Sequence, residues 1–320
     1  MESSIPETTV LIPVYNEEWA IYPLYGKLCQ AMEEAGERWE LLFVNDGSTD
    51  KTSENLEQLA SGDNQVRVIH LRRNYGLTQT LQAGFDHAAG KYVVTISGNL
   101  QNEPSDIPKL LKKMREGYDV CAGWRKSQDG QLYRVRPKKL LNWLISRVSG
   151  IPLHDYECTM RAYRTRTVRG LQLSGTLDRY IPVYVGWQGG RIAELEVKQL
   201  PRSHGHGTTE SPTKRTLKTL LDLVFLKFLQ KYSTKPLYVF GSLGAASILS
   251  SICAFGFMIY YKLSGGPTFI ETPLPLLTAL FFLTGVMLVV LGIMTEFLTR
   301  IYRFNARTEF YDVVDSPDQL

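Results

Sequence analysis

Two short apolar runs near the start of the chain, Val10-Leu11-Ile12-Pro13-Val14 and Leu41-Leu42-Phe43-Val44, each lead directly into a polar cluster. The first cluster is Tyr15-Asn16-Glu17-Glu18 and the second Asn45-Asp46-Gly47-Ser48-Thr49-Asp50. Apolar runs of this length, bounded by turn residues and separated by a helix-length segment, read as strands buried on both faces of a parallel sheet. Successive βα units then bring both clusters to the carboxyl edge of the sheet, where such sheets bind ligands. The alternation continues, with strands expected near 9–14, 40–44, 66–71 and 91–96, helices near 18–35, 51–60 and 77–89, and a later strand near 192–199. An α/β domain with a mainly parallel, Rossmann-like sheet covered on both faces is the expectation. Asn-Asp-Gly-Ser is also good turn chemistry anywhere, so the second cluster by itself has a plainer reading.

A chain of 320 residues leaves room for an appendage, and the composition shifts where one would lie. Leu237–Tyr261 and Pro273–Thr295 are almost uncharged, each long enough for a hydrocarbon core of ~30 Å, so two transmembrane helices are expected. Lys231 and Lys235 precede the first, Arg300, Arg303 and Arg307 follow the second, and only Lys262 and Glu271 lie between. This asymmetry predicts a multi-pass protein of an inner or plasma membrane, with the large domain and both termini cytoplasmic. No cleavable signal peptide is expected before Thr9. Between Lys214 and Tyr232, Leu217, Leu220, Leu221, Val224, Phe225, Phe228 and Leu229 recur at helical spacing with basic residues mostly elsewhere. An interfacial amphipathic helix fits, and so does one packed on the domain. The expected domains are therefore 1–210, an interfacial helix over 211–235, a two-helix membrane region over 236–305 and a tail over 306–320. A net charge of +4 does not point to nucleic acid. Cys29, Cys121, Cys158 and Cys253 are scattered without CxxC spacing, which argues against disulfides and a zinc site.

Taken in order, the Pro13-Val14-Tyr15-Asn16-Glu17 and Asn45–Asp50 clusters resemble the opening of family 2 glycosyltransferases of the GT-A fold. The resemblance implies that Pro13, Tyr15, Glu17, Asn45 and Asp46 hold the base and ribose of a nucleotide-sugar. Carboxylates suit this task, since they accept hydrogen bonds from base N–H and ribose hydroxyls. Arg73-Asn74-Tyr75-Gly76 and Ala83-Gly84, followed by Ala89-Gly90-Lys91-Tyr92, resemble landmarks of the polyisoprenyl-phosphate members, although Gly76, Gly84 and Gly90 also suit turns and close packing.

After the fourth strand, Ser97-Gly98-Asn99-Leu100-Gln101-Asn102-Glu103-Pro104 stands where the family reads Asp-x-Asp-Leu-Gln-x-x-Pro around a divalent metal. The resemblance implies Mg²⁺ or Mn²⁺ at the donor diphosphate, with Ser97, Asn99 and Gln101 nearby and Asn99 and Gln101 as weak ligands. Hard cations favour anionic oxygen, so replacing both aspartates weakens the site. Three explanations are open: the diphosphate supplies most ligands, basic residues replace the metal, or catalysis is lost. Gly123-Trp124-Arg125 resembles the Gly-Ser-Arg after the family's fifth strand, which implies phosphate contact for Arg125; in the basic run that follows, Lys126, Arg134, Arg136, Lys138 and Lys139, Arg136 is a further candidate for phosphate contact and the others act as field. His154-Asp155-Tyr156-Glu157-Cys158, with Arg161-Ala162-Tyr163, resembles the segment whose aspartate lies at the reacting centre, so Asp155 is the candidate catalytic residue. An Asp capping the following turn is the plainer alternative. Arg202 and Gly205 match an acceptor-phosphate motif whose Ser-Lys is here Gly207-Thr208; His204 and His206 are substitute donors or solvent-facing residues. Leu291-Gly292, with Glu296 and Arg300 one turn apart, resembles the family's exit from the second span, where the two can pair.

The sequence thus reads as an inverting glycosyltransferase moving a hexose from a UDP- or GDP-sugar to a polyprenyl phosphate at the cytoplasmic membrane face. The resemblance also implies a homo-oligomer. The rivals are a non-catalytic nucleotide-sugar- or lipid-binding assembly partner and an enzyme with a glycerolipid acceptor.

Overall fold

The computed structural model describes residues 6–125, 142–169, 171, 173, 177–201, 236–265 and 272–304. The interfacial helix expected over 211–235, the tail over 306–320, and Arg136, Arg202, His204 and His206 lie outside the described residues. What is described divides into two units, a sheet domain and a helical hairpin.

The sheet domain runs β1 (Thr8–Val14), α1 (Ile21–Ala35), β2 (Trp39–Asn45), α2 (Thr52–Gly62), β3 (Val66–His70), α3 (Leu77–His87), β4 (Tyr92–Thr95), α4 (Ile107–Arg115) and β5 (Val120–Arg125). A helical stretch, α5, covers 142–149. Then come β6 (Arg161–Arg164), α6 (Thr165–Val168), α7 (Ile181–Trp187) and β7 (Ile192–Val197). The seven strands lie in the order β3-β2-β1-β4-β6-β5-β7. All neighbours are parallel except β6, which is antiparallel to both β4 and β5. The carboxyl ends of six strands therefore share one edge, and Arg161 at the start of β6 joins them. The order reverses beside β1, between its neighbours β2 and β4, which makes their carboxyl ends the switch point.

Side-chain alternation along the strands sends two sets of residues to opposite faces. Val10 and Ile12 of β1 pack with Leu24, Leu28 and Met32 of α1 and with Leu110 and Met114 of α4. On the other face Leu11, Leu42 and Val44 pack with Leu81 and Phe85 of α3 and with Ile181 and Val185 of α7. The sequence of α4 accounts for its place, since Ile107, Leu110, Leu111 and Met114 are buried at i, i+3, i+4, i+7 spacing while Lys112, Lys113 and Arg115 fill its last turn. Basic residues there complement the negative end of the helix dipole.

Two details depart from expectation. Gly123-Trp124-Arg125 does not follow a strand but forms the end of β5. The antiparallel β6 was not legible, because a four-residue run that begins and ends with arginine has no strand-like apolar pattern.

The hairpin consists of α8 (Pro236–Leu263) and α9 (Leu274–Phe304). Leu237–Leu263 and Leu274–Leu298 are each long and apolar enough to cross a bilayer. The two helices meet at Gly244 and Gly285, where a Cβ on Gly244 would lie 2.8 Å from the Gly285 carbonyl oxygen. Ser247 and Ser251 donate hydrogen bonds to the Phe281 and Thr278 carbonyls at 2.8 and 2.9 Å, tying helix to helix.

Candidate active site

The loops after β1 and β2 are stitched to one another. Asn16, in the left-handed region at φ 53°, accepts from the Thr49 amide at 2.8 Å, and its own amide donates to Ser48 Oγ at 3.0 Å. Asn45 accepts from the Ser48 amide and hydroxyl, and donates to Ser53 Oγ at 2.8 Å. Its side chain is therefore occupied in shaping the turn, and it does not line the cleft described below. Gly47 has φ 64°, and a Cβ there would stand 2.4 Å from the Arg73 carbonyl carbon, so the loop after β3 rests directly on this turn.

Asp46, at the same edge, is buried. Its two oxygens accept from the Tyr75 and Gly76 amides at 2.7 and 2.9 Å, just ahead of α3. Burial raises its pKa, and those amide hydrogen bonds partly offset the rise. The carboxylate thus holds the loop before α3 as well as facing the cleft.

That cleft, of about 260 Å³, sits at the switch point, walled by Pro13 and Val14 at the end of β1, Tyr15 and Glu17 just after it, Asp46 after β2, Asn74 and Gly76 before α3, Leu77 and Thr80 of α3, and Ser97, Gly98 and Asn99 in the loop after β4. Four of the five residues expected to hold a nucleotide are brought together there, and Asn45 is the exception. A larger cleft, of about 490 Å³, shares Pro13, Leu77, Ser97 and Asn99 with the first and continues past Gln101 to Arg125, Glu157, Arg161, Asp178 and Arg179.

In the larger cleft Arg125, at the end of β5, forms a two-pronged ion pair with Asp155, Nε to Oδ2 at 2.6 Å and Nη2 to Oδ1 at 2.9 Å. Burial alone would raise the Asp155 pKa, but hydrogen bonding and charge from Arg125 outweigh it and hold the carboxyl below its ordinary value. The guanidinium is correspondingly raised despite the opposing effect of burial. Asp155 is not itself in the wall of either cleft; it reaches the larger one through Arg125. The guanidinium expected to meet phosphate is thus already aligned by a carboxylate, with Nη1 not engaged by it. Bidentate alignment of this kind fixes the plane of the remaining donors.

Ser97, Asn99 and Gln101 follow β4 as expected. Asn99 Nδ2 donates to Gln101 Oε1 at 2.9 Å, and Asn99 Oδ1 accepts from the Gln101 amide at 3.2 Å. The Asn99 and Gln101 side-chain oxygens thus each accept a hydrogen bond from within this segment and carry no charge to attract a cation. Glu103 pairs with Lys27 at 3.6 Å, Asp46 serves backbone amides and Asp155 serves Arg125. Among the described residues no cluster of three or more His, Cys, Asp or Glu side chains is arranged to hold a metal. The described residues do not fit a divalent ion held by protein carboxylates.

Sequence reasoning missed three groups. Arg161, buried at the start of β6, donates to the Asp178 and Tyr156 carbonyls at 3.0 and 2.6 Å. Arg179 lies 4.0 Å from Glu157 in the same cleft. Glu194 of β7 takes the His154 and Asp155 amides on one oxygen. Only the presence of a charged residue within a half-buried strand could have signalled the last.

The model of Glycosyl transferase family 2 matches residues 9–171. Dodecaprenyl-phosphate galacturonate synthase of Rhizobium johnstonii is 33% identical over 301 residues, 92% of this chain and 88% of that protein. Undecaprenyl-phosphate 4-deoxy-4-formamido-L-arabinose transferase of Shewanella sediminis is 33% identical over 312 residues, 96% of this chain and 92% of that protein. Among solved structures, glucosyl-3-phosphoglycerate synthase from Mycobacterium tuberculosis, in complex with Mn²⁺, uridine diphosphate and glucosyl-3-phosphoglycerate, superposes with a TM-score of 0.53. It shares 18% identity and covers 70% of this chain and 80% of its own, a likeness of fold. With a GT-A sheet, two apolar helices after it and relatives alike over nearly the whole chain, this protein belongs to glycosyl transferase family 2 and is a glycosyltransferase.

Proposed function

We propose that this enzyme transfers a hexose from a UDP- or GDP-sugar to a polyprenyl phosphate, with inversion, at the cytoplasmic face of a membrane that α8 and α9 span. The observation that carries the reading is that two relatives named for transfer to a polyprenyl phosphate are alike over more than nine-tenths of the chain. The site's chemistry agrees with it. On this reading the nucleoside occupies the smaller cleft, against Pro13, Tyr15, Glu17 and Asp46, and the sugar and acceptor phosphate meet in the larger one.

An acceptor phosphate oxygen attacks the anomeric carbon as the bond to the donor diphosphate breaks and nucleoside diphosphate leaves. The attacking oxygen is already anionic, so no strong base is needed. Asp155 aligns Arg125, whose remaining N–H groups neutralise phosphate. Arg136 and Arg202 are further proposed phosphate contacts. Mg²⁺ or Mn²⁺ enters on this reading as a companion of the donor diphosphate, with Asn99 and Gln101 as weak neighbours, and not as an ion held by protein carboxylates.

The test is incubation of purified full-length protein with polyprenyl phosphate and a panel of UDP- and GDP-sugars, with and without chelator. A glycolipid from one donor is expected. No product from any donor, with nucleotide binding intact, would favour a non-catalytic assembly partner instead, and product only with a glycerolipid would replace the acceptor.

A further inference from the structure

We propose that Glu194 is a positioning residue for transfer, fixing the turn that carries Asp155 so that this carboxylate meets and aligns Arg125; the role rests on the transferase reading above. Glu194 lies on β7 opposite Ala122 of β5, three residues before Arg125 on that strand. Its side chain is only 14% exposed and faces the His154 ring. One carboxylate oxygen accepts from both the His154 amide, at 2.8 Å, and the Asp155 amide, at 3.2 Å. The other lies 2.6 Å from His154 Nδ1. The imidazole in turn stacks on the Trp124 indole, centroids 4.4 Å apart and planes at 21°.

Two adjacent pairs therefore join strand to loop, Trp124 with His154 and Arg125 with Asp155, and Glu194 grips the main chain of the loop partner in each. Other hydrogen bonds hold the loop on either side of this point, among them the one Arg161 donates to the Tyr156 carbonyl at 2.6 Å. Asn142 donates to the His154 carbonyl at 2.6 Å, and Asp155 Oδ1 accepts from the Glu157 amide at 3.0 Å, a bond internal to the turn. The Arg125 pair sets the orientation of the Asp155 carboxylate; Glu194 sets where its backbone stands. Displacements of an ångström in groups that align a reacting centre lower turnover far more than they lower binding. Glu194 is in neither cleft wall, so it acts through the loop that carries Asp155.

The experiment compares wild type, Glu194→Ala, Glu194→Asp and Glu194→Gln as full chains in detergent. It reads kcat, KM for the donor, and hydrogen exchange of the peptide spanning residues 152–158. Expected for Glu194→Ala are faster exchange in that peptide, kcat lowered by about 10–100-fold and donor KM unchanged. Glu194→Gln keeps the acceptor for both amides and should restore most of kcat. Glu194→Asp, one methylene shorter, should fall between and serves where the alanine variant does not fold. Wild-type turnover with kcat undiminished in Glu194→Ala or Glu194→Asp overturns the role, as does a loss confined to KM. Absence of glycolipid from wild type overturns the transferase reading itself, and exchange unchanged by Glu194→Ala overturns the grip on the loop whatever the activity.

Discussion

Asp155 and Asp46 are both buried carboxylates at the same sheet edge, yet their surroundings shift them in opposite directions. Asp155 is lowered, because Arg125 outweighs burial. Its contribution to stability is present in full above the ordinary Asp value of about 3.9 and is lost as pH falls through the still lower folded value. Between about pH 5 and 8 its charge is constant, so the pH profile of kcat/KM should carry no acid limb from it. An inflection near neutrality that disappears in Asp155→Asn would contradict this. Asp46 is raised by burial, so any stability linked to its proton is complete below the ordinary value and fades as pH rises through the higher folded one. Its two amide bonds give a second expectation. Asp46→Ala leaves the Tyr75 and Gly76 amides without their acceptor and should lower stability by about 1–3 kcal/mol, with nucleotide affinity weakened by a similar amount. Calorimetry and thermal unfolding measure the two effects separately, and an unchanged nucleotide affinity in a folded variant would remove Asp46 from the binding site.

At the scale of elements, what was legible in the sequence is what local pattern dictates. Continuous apolar runs announced β1, β2 and β4, and the polar clusters after them announced the edge that forms the smaller cleft. What was not legible depends on partners distant in the chain. Arg125 and Asp155 are thirty residues apart and read separately as a phosphate contact and a reacting-centre acid; only the fold makes them a pair. Arg161 is a charged residue in a buried strand because the carbonyls of Tyr156 and Asp178 come to it, and no periodicity encodes that. The hairpin of α8 and α9 is the reverse case, since its length and apolarity were plain while its seam was not. Gly285 faces Ile248 so closely that a Cβ would lie 2.6 Å from Ile248 Cγ1 and 2.9 Å from the Gly244 carbonyl oxygen. Gly285→Leu should therefore force the helices apart, whereas Ser247→Ala and Ser251→Ala each remove one interhelical hydrogen bond, worth about 0.6 kcal/mol in a membrane. Spin-label distances across the hairpin should lengthen in Gly285→Leu and stay unchanged in the serine variants; a distance unaltered in Gly285→Leu would refute the close seam.

For the molecule as a whole, the proposed reaction would bring a water-soluble donor and a membrane-dissolved acceptor together. The cationic flanks of the two apolar segments predict that reporters fused after Leu320 and within residues 264–268 fall on opposite sides of the membrane, the first with the cytosolic donor. An external C-terminal reporter would separate the sheet domain from its substrate. On the proposed reaction, the charge of a donor diphosphate would be met without a pair of aspartates after β4, where this chain has Ser97 and Asn99. Asn99 and Gln101 instead bond to each other, Nδ2 to Oε1 at 2.9 Å. Substituting Asn99→Asp keeps an oxygen for the Gln101 amide, releases the glutamine carbonyl and adds one negative charge. Ligand charge sets much of the affinity for hard cations, so the divalent concentration for half-maximal turnover should fall by on the order of tenfold in Asn99→Asp. Asp155→Asn should lower turnover at every metal concentration while leaving nucleotide binding in place, because its carboxylate serves Arg125 and not the cation. Metal titration of wild type and both variants separates the alternatives. A half-maximal concentration unmoved by Asn99→Asp would mean that this segment does not face the ion, and wild-type turnover that survives chelation would transfer the neutralisation of the leaving diphosphate to arginines, with Arg125 first among those the structure describes.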